Sequence, residues 1–283
     1  MSQGELLQEY TLQGRVDTSI AMLRHFNSHL PLFGCFSGGK DSIVIKHLAR
    51  MAGINIDWHY SVTQIDPPDL MRFVRREHPD VAWARVKGHS FFRDVAKKGL
   101  PTRRVRWCCA IYKEASRPDR GETMVMGVRA SESARRAKSW KEMGVNRQGV
   151  MTILPIFHWK DSEVWEFIHA ENLPYCHLYD CGLKRLGCVG CPMARPREKE
   201  IHFSLYPRFK ECYLRAWRKY WEANAEGNES RTYREFKSAD AFFEWWLTDK
   251  SMPSATSACL NPQLDIIEEY WDTDAIEAGW RET

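Results

Sequence analysis

Apolar positions recur near helical spacing between residues 5 and 29, at Leu6, Leu7, Tyr10, Val16, Ile20, Leu23 and Phe26, which predicts one or two helices. Residues 31–36, Pro-Leu-Phe-Gly-Cys-Phe, read as a short buried strand. Ile43, Val44, Ile45, Leu48 and Met51 then mark a helix over 41–52 that ends near Gly53, and 54–60 form a second strand. Together these make a β-α-β unit, which implies parallel strands and a right-handed crossover. A helix over 67–79 between prolines, a strand over 81–86 and a basic loop over 97–109 follow. Strands are expected at 122–130 and 153–159, then a helix over 160–172 with Asp161 or Ser162 as cap. After Pro192 the pattern turns helical, over 197–225 and 232–248, carrying Trp217, Trp221, Trp245 and Trp246. At that spacing tryptophans are core more often than base-stacking platforms. The expectation is an α/β chain with a parallel sheet flanked by helices, divided as an N-terminal helical segment 1–30, an α/β domain 31–195 and a helical C-terminal region 196–283.

Composition changes this picture little. At 43% hydrophobic and 28% charged, the 283 residues suit a globular protein with one large core or two modest ones. The start, Met-Ser-Gln-Gly-Glu, has no apolar stretch typical of export, and no run of 18 apolar residues occurs, so a cytoplasmic protein with no membrane segment is expected. The nine cysteines then point to thiols, metal or catalysis rather than disulfides. Charge is uneven. Arg85 to Arg147 holds 17 Lys/Arg against 6 Asp/Glu, whereas Gln263 to the end holds 7 acids against Arg281 alone. Two solvated faces of opposite sign would account for this, as would a basic surface for a polyanion.

Residues 33–42, Phe-Gly-Cys-Phe-Ser-Gly-Gly-Lys-Asp-Ser, carry the sharpest chemistry. Gly34, Gly39 and Lys40 fit the G-x-x-x-x-G-K spacing of a Walker phosphate loop, but Asp41 stands where that loop needs a hydroxyl for magnesium. Between a strand and a helix start, glycines let successive amides face one point, and the helix dipole adds positive potential. Ser37, Gly38, Gly39, Lys40, Asp41 and Ser42 are therefore expected to hold an anion, with Asp41 able to bind magnesium or cap the helix. This stretch resembles the PP-loop of the adenine-nucleotide alpha-hydrolase-like superfamily. The resemblance implies a Rossmann-like (HUP) sheet and ATP–Mg cleavage between the α and β phosphates, with adenylylation of a substrate oxygen.

Cys108 and Cys109 are adjacent, and Cys188 and Cys191 form C-x-x-C in Leu-Gly-Cys-Val-Gly-Cys-Pro. Two such pairs suggest a four-thiolate site for zinc or iron–sulfur, and the vicinal pair is unusual for structural zinc. The ten histidines show no metal spacing. The stretch Arg-Trp-Cys-Cys-Ala-Ile-Tyr-Lys and the second pair are similar to the subset of the phosphoadenosine phosphosulfate (PAPS) reductase family that carries a [4Fe–4S] cluster. That likeness runs from about Phe33 to Ala194, and includes residues 155–188 leading into the second pair. It implies that Cys108, Cys109, Cys188 and Cys191 hold the cluster. Gly127, Arg129, Glu132 and Arg135 resemble the family's G-x-R-x-x-E-S-x-x-R stretch, whose arginines face phosphate; the planar fork of arginine suits that task.

The family's reductases carry a catalytic cysteine in a Glu-Cys-Gly-x-His tail, and the last 24 residues here contain none; Cys259 comes last and no Gly-x-His follows it. Cys35, Cys176 and Cys181 are spare thiols near the motifs, expected to be buried apolar groups. The likeness is therefore read toward members that work as ATP pyrophosphatases in bacterial DNA phosphorothioation, with a cysteine desulfurase as sulfur donor. Lys40, Asp41 and Arg129 would be catalytic, with Arg129 and Arg135 contacting phosphate. DNA is the implied acceptor, ahead of tRNA, and a homodimer is compatible. An adenylyl sulfate or PAPS reductase and a non-catalytic nucleotide-binding subunit are the other readings.

Overall fold

The computed structural model describes residues 11–114, 118, 121–146, 149–228 and 230–248, which form two compact units. The first takes its described residues from Met1–Lys87 and Ile111–Cys188, the second from Gly88–Ala110 and from Val189 onward. The sequence reading drew one α/β domain through residue 195; in the structure, residues 88–110 group instead with the helices that follow Val189.

The first unit is built on six strands: β1 (Leu32–Cys35), β2 (Asp57–Ser61), β3 (Ala82–Ala84), β4 (Thr123–Val125), β5 (Met143–Val145) and β6 (Met151–Ile153). They run in the order β3-β2-β1-β4-β6-β5. The pairs β1–β2, β1–β4, β2–β3 and β4–β6 are parallel, while β5 lies antiparallel on β6. This is the expected α/β sheet with one antiparallel edge added. Its central strands read as apolar runs because both faces are covered by helices: Leu32, Phe33 and Val125 are all buried. Gly34 is required here, since a Cβ would lie 2.2 Å from the Trp58 ring on the neighbouring strand.

Among the described residues, five helices accompany the sheet: α1 (Leu12–Asn27), α2 (Lys40–Met51), α3 (Pro68–Glu77), α5 (Ala134–Ser139) and α6 (Asp161–Ala170). Thr11 caps α1 by accepting the Gly14 amide at 3.0 Å. The strand expected over 122–130 shortens to β4, and the one expected over 153–159 ends at Ile153. Beyond it the chain folds into tight turns, with Phe157 N–H donating to Leu154 and Trp159 N–H to Ile156, both at 3.0 Å.

The second unit contains α4 (Phe91–Lys98), α7 (Pro196–Leu205), α8 (Pro207–Asn224), α9 (Arg231–Glu235) and α10 (Ala239–Thr248). The helix expected over 197–225 is two helices. Pro207 has no N–H to continue the first and sits in the opening turn of the second, where none is needed. Of the four tryptophans, two lie in the core as expected, while Trp221 and Trp245 are only partly buried. Trp217 and Trp246 are buried and donate their indole N–H to the Ala239 carbonyl at 2.9 Å and the Pro101 carbonyl at 2.8 Å. Among the described residues no helix is long and apolar enough to cross a membrane.

Candidate active site

The sheet order changes direction between β1 and β4. The crevice beyond the carboxyl ends of strands at such a reversal is where open α/β sheets bind ligands. The loop Ser37–Gly39 follows β1 into α2, and Gly127–Arg129 follows β4. The topology thus brings together two motifs separated by almost ninety residues.

Backbone demands fix the loop. Gly38 sits at φ +70°, and a Cβ there would meet Val74 at 2.6 Å and Leu70 at 2.8 Å, so α3 closes over it. Gly39 precedes α2 with no side-chain cap of its own. Ser42 donates its hydroxyl to the Gly39 carbonyl at 2.8 Å and lies 3.2 Å from the Ser37 hydroxyl. Gly127 lets the β4 exit pass close by: a Cβ there would lie 3.2 Å from Asp41 Cβ and 3.3 Å from the Ser42 nitrogen.

Four charged side chains interlock at this point. Arg129, 2% exposed, donates Nε to Asp41 at 2.6 Å, Nη2 to Asp161 at 2.7 Å and Nη1 to the Ser131 hydroxyl at 2.9 Å. Lys40, also buried, places Nζ 3.2 Å from Asp161 and 3.8 Å from Asp41. Burial pushes the Asp41 carboxyl above its ordinary value, outweighing the downward pull of Lys40 and Arg129. Burial acts upward on Asp161 as well, but it is more open, and Lys40 and Arg129 hold it below the usual carboxylate range. Burial disfavours the Arg129 charge, yet Asp41 and Asp161 strengthen its hold on the proton.

Asp161 is not the cap the sequence suggested. Lys160 precedes the helix, its amide is met by Glu163 at 2.6 Å, and Asp161 in the first turn is left to face the two cations. Glu132 accepts the Arg129 amide at 3.1 Å and pairs with Arg136, so that arginine is engaged beside the site. The side chain of Arg135 lies outside what the structure describes. Sequence reasoning also missed Tyr179, whose hydroxyl accepts the Lys40 amide at 2.9 Å from 139 residues away. No spacing rule reaches across that distance.

The expected thiolate ligands divide between the units: Cys188 belongs to the first, and Cys108, Cys109 and Cys191 to the second. Cys109 opens a π-helical turn over Cys109–Lys113, a geometry common at functional sites. Cys188 is buried and its Sγ lies 3.4 Å from the Thr63 hydroxyl. Gly190, at φ +67°, turns the chain inside C-x-x-C, and a Cβ there would strike Phe203 at 2.6 Å. Among the described residues no three Cys, His, Asp or Glu side chains converge as a metal site. Of the three thiols expected to be buried, Cys176 is buried and Cys35 partly so, and burial raises both, Cys35 to about 12, whereas Cys181 is exposed. Cys259 lies outside the described residues.

Comparisons with known proteins bear on this geometry. The family described as phosphoadenosine phosphosulfate reductase domain matches residues 31–194, more than half of the chain. An uncharacterized protein of Methanocaldococcus jannaschii is 31% identical over 211 residues, covering 70% of this chain and 43% of that one. An adenosine 5'-phosphosulfate reductase of Salinibacter ruber is 32% identical over 165 residues, 54% of this chain and 64% of that one. The chain thus spans less than half of the Methanocaldococcus relative. Among solved structures, the U34-tRNA thiolase NcsA of Methanococcus maripaludis with its [4Fe–4S] cluster covers 88% of this chain and 84% of its own, at 12% identity and TM-score 0.43.

Proposed function

We propose that this chain, which belongs to the phosphoadenosine phosphosulfate reductase domain family, is an ATP pyrophosphatase that activates a nucleic-acid oxygen for sulfur insertion. The carrying observation is the pair of carboxylates, Asp41 and Asp161, set among the cations of an anion loop. A bare monoester anion calls only for cations, whereas a polyphosphate brought in with magnesium suits carboxylates beside them. The amides of Ser37–Ser42 would take the departing diphosphate, Lys40 and Arg129 would stabilise charge on the phosphoryl oxygens, and Asp41 would face the magnesium that ATP carries. An acceptor oxygen, most simply that of a DNA backbone phosphate, attacks the α-phosphorus and diphosphate leaves. The terminal sulfur of a cysteine desulfurase's persulfide would then attack the activated phosphorus and displace AMP, and a second thiol would cleave the resulting S–S bond, leaving sulfur on phosphorus and a disulfide behind. tRNA is the alternative acceptor, and the protein would act in the cytoplasm.

In its chemistry alone, four thiols and no carboxylate, the set Cys108, Cys109, Cys188 and Cys191 would suit a [4Fe–4S] cluster, as the family likeness implies. Bound there, the cluster would brace its four ligands or exchange electrons. Anaerobically prepared protein given ATP–Mg should release AMP and diphosphate together, and Lys40→Ala should abolish both. Sulfite from adenylyl sulfate with a thiol donor, and no diphosphate from ATP, would overturn the proposal in favour of a reductase. No turnover with desulfurase and DNA present would leave a nucleotide-binding subunit.

A further inference from the structure

Tyr179 is absorbed neither by the loop motif nor by the charged cluster, yet it touches the loop at Lys40, the first amide of α2. The side chain is carried by a 3-10 turn, His177–Tyr179, anchored by buried Leu178 and by the Tyr179 amide donating to Cys176 at 3.1 Å. Its ring is held edge-on by Trp165 of α6, 5.0 Å between centroids, and Tyr175 stands edge-on to the same Trp165 at 5.2 Å. Lys40 Nζ lies 5.6 Å from the Tyr179 ring centre. This fixes the hydroxyl over the start of α2, where Gly39 offers no side-chain cap. The oxygen accepts the Lys40 amide at 2.9 Å and would lie only 3.3 Å from a Cβ on Gly39.

An acceptor at the first amide of a helix sits where an anion oxygen binds. Among the described residues, the hydroxyl's own proton has no acceptor. A phenol held this way has one bond satisfied and one donor to give. Burial raises its pKa well above the ordinary tyrosine value, so the proton stays in place at neutral pH.

We propose that Tyr179 is a phosphate-binding residue, its hydroxyl donating to an oxygen of the diphosphate held by the Ser37–Ser42 loop. Before the nucleotide arrives, the same oxygen caps α2 and keeps the loop in its binding shape. When phosphate enters, its charged oxygen takes the Lys40 amide more strongly than a neutral phenol can, and the tyrosine turns from acceptor to donor. This deepens the nucleotide reading of the site and rests on it.

The test is calorimetric binding of inorganic diphosphate and of ATP–Mg to the full chain, with adenosine as the ligand lacking phosphate. Tyr179→Phe should weaken both phosphate ligands by roughly ten- to a hundredfold, the range for a hydrogen bond to a charged group, and leave adenosine unchanged. Phe keeps the ring against Trp165 and loses only the cap on the Lys40 amide, so the thermal midpoint should fall by no more than a few degrees. Tyr179→His, which retains a ring donor, should recover part of the affinity and serves if the Phe variant does not fold. Equal or tighter diphosphate binding by Tyr179→Phe, with wild type binding normally, overturns the assignment and leaves the pyrophosphatase reading standing. Wild-type protein that binds neither phosphate ligand overturns both.

Discussion

Replacing Arg129 by alanine removes three hydrogen bonds from a side chain that is 2% exposed. The contributions differ by partner. The Asp161 side chain is 62% exposed, so water replaces the guanidinium there and the loss is on the surface scale, about 0–1 kcal/mol. The Asp41 side chain is 21% exposed and keeps only Lys40 at 3.8 Å, so stranding it costs at the lower end of the range for breaking a buried pair, about 3 kcal/mol. The total expected is about 3–4 kcal/mol at neutral pH. The sign of the pH dependence follows from Asp41. Its carboxyl already sits above the ordinary value of 3.8 because of burial, and losing Arg129 raises it further. A carboxyl raised on folding favours the folded state when protonated, so the deficit is largest where Asp41 is ionised and shrinks as the solution is acidified. Urea denaturation of wild type, Arg129→Ala and Arg129→Ala/Asp41→Asn at about pH 7 and about pH 5 measures this. The single variant should recover relative to wild type at the lower pH, and the double variant should regain most of the loss at both. A deficit equal at the two pH values, or no rescue by Asp41→Asn, would refute the stranded-carboxylate argument.

Two further outcomes follow from local geometry. Gly127→Ala places a Cβ 3.2–3.3 Å from Asp41 and from the Ser42 nitrogen, where backbone must give way. Steady-state kinetics should show kcat/KM for ATP reduced by roughly ten- to a hundredfold, with a stability loss of only about 1–2 kcal/mol; unchanged kinetics would show that the loop tolerates displacement. His78 is held at about 4 by burial and by Lys46, whose Nζ is 3.4 Å from Nδ1. Its folded value lies below the free value of 6.5, so the stability it contributes is complete above that pH and is withdrawn as pH falls toward 4. His78→Leu should flatten the acid limb of the stability curve across that window, and an unchanged slope would count against the neutral buried imidazole.

Local patterning makes the first β-α-β unit and the turn to helices after Pro192 legible, because each is a short-range signal of period two or 3.6. The tryptophans at 217 and 246 were legible as core for the same reason. The failures are of another kind. Helix α4 went unread because its eight residues present only Phe91, Phe92 and Val95 before two lysines, too short a run for periodicity to register. The antiparallel β5–β6 pair was missed because β5 is an exposed three-residue edge with no buried face to alternate against. Sequence offers Asp161 or Ser162 as the cap because Asp and Ser at a helix start usually serve as one. Only the fold shows Glu163 meeting the Lys160 amide in its place, which leaves Asp161 for Arg129 and Lys40.

The charge balance at the loop gives that substitution a purpose. Lys40 and Arg129 together with Asp41 and Asp161 sum to zero, and three of the four are shielded from bulk water. Two buried cations alone would repel one another and would trap any anion without discrimination. Interleaved carboxylates hold the cations in place before substrate arrives, and make entry of a naked polyanion unfavourable because it meets negative charge as well. On the proposed reading, a nucleotide that brings its own divalent cation would escape this conflict, because Asp41 and Asp161 would be drawn to that cation and Lys40 and Arg129 left to face phosphoryl oxygens. Asp41, the residue that departs from the Walker pattern, contacts Arg129 from within the loop and would then tie both to the substrate. It is also the only carboxylate of the pair that burial keeps reluctant to ionise alone.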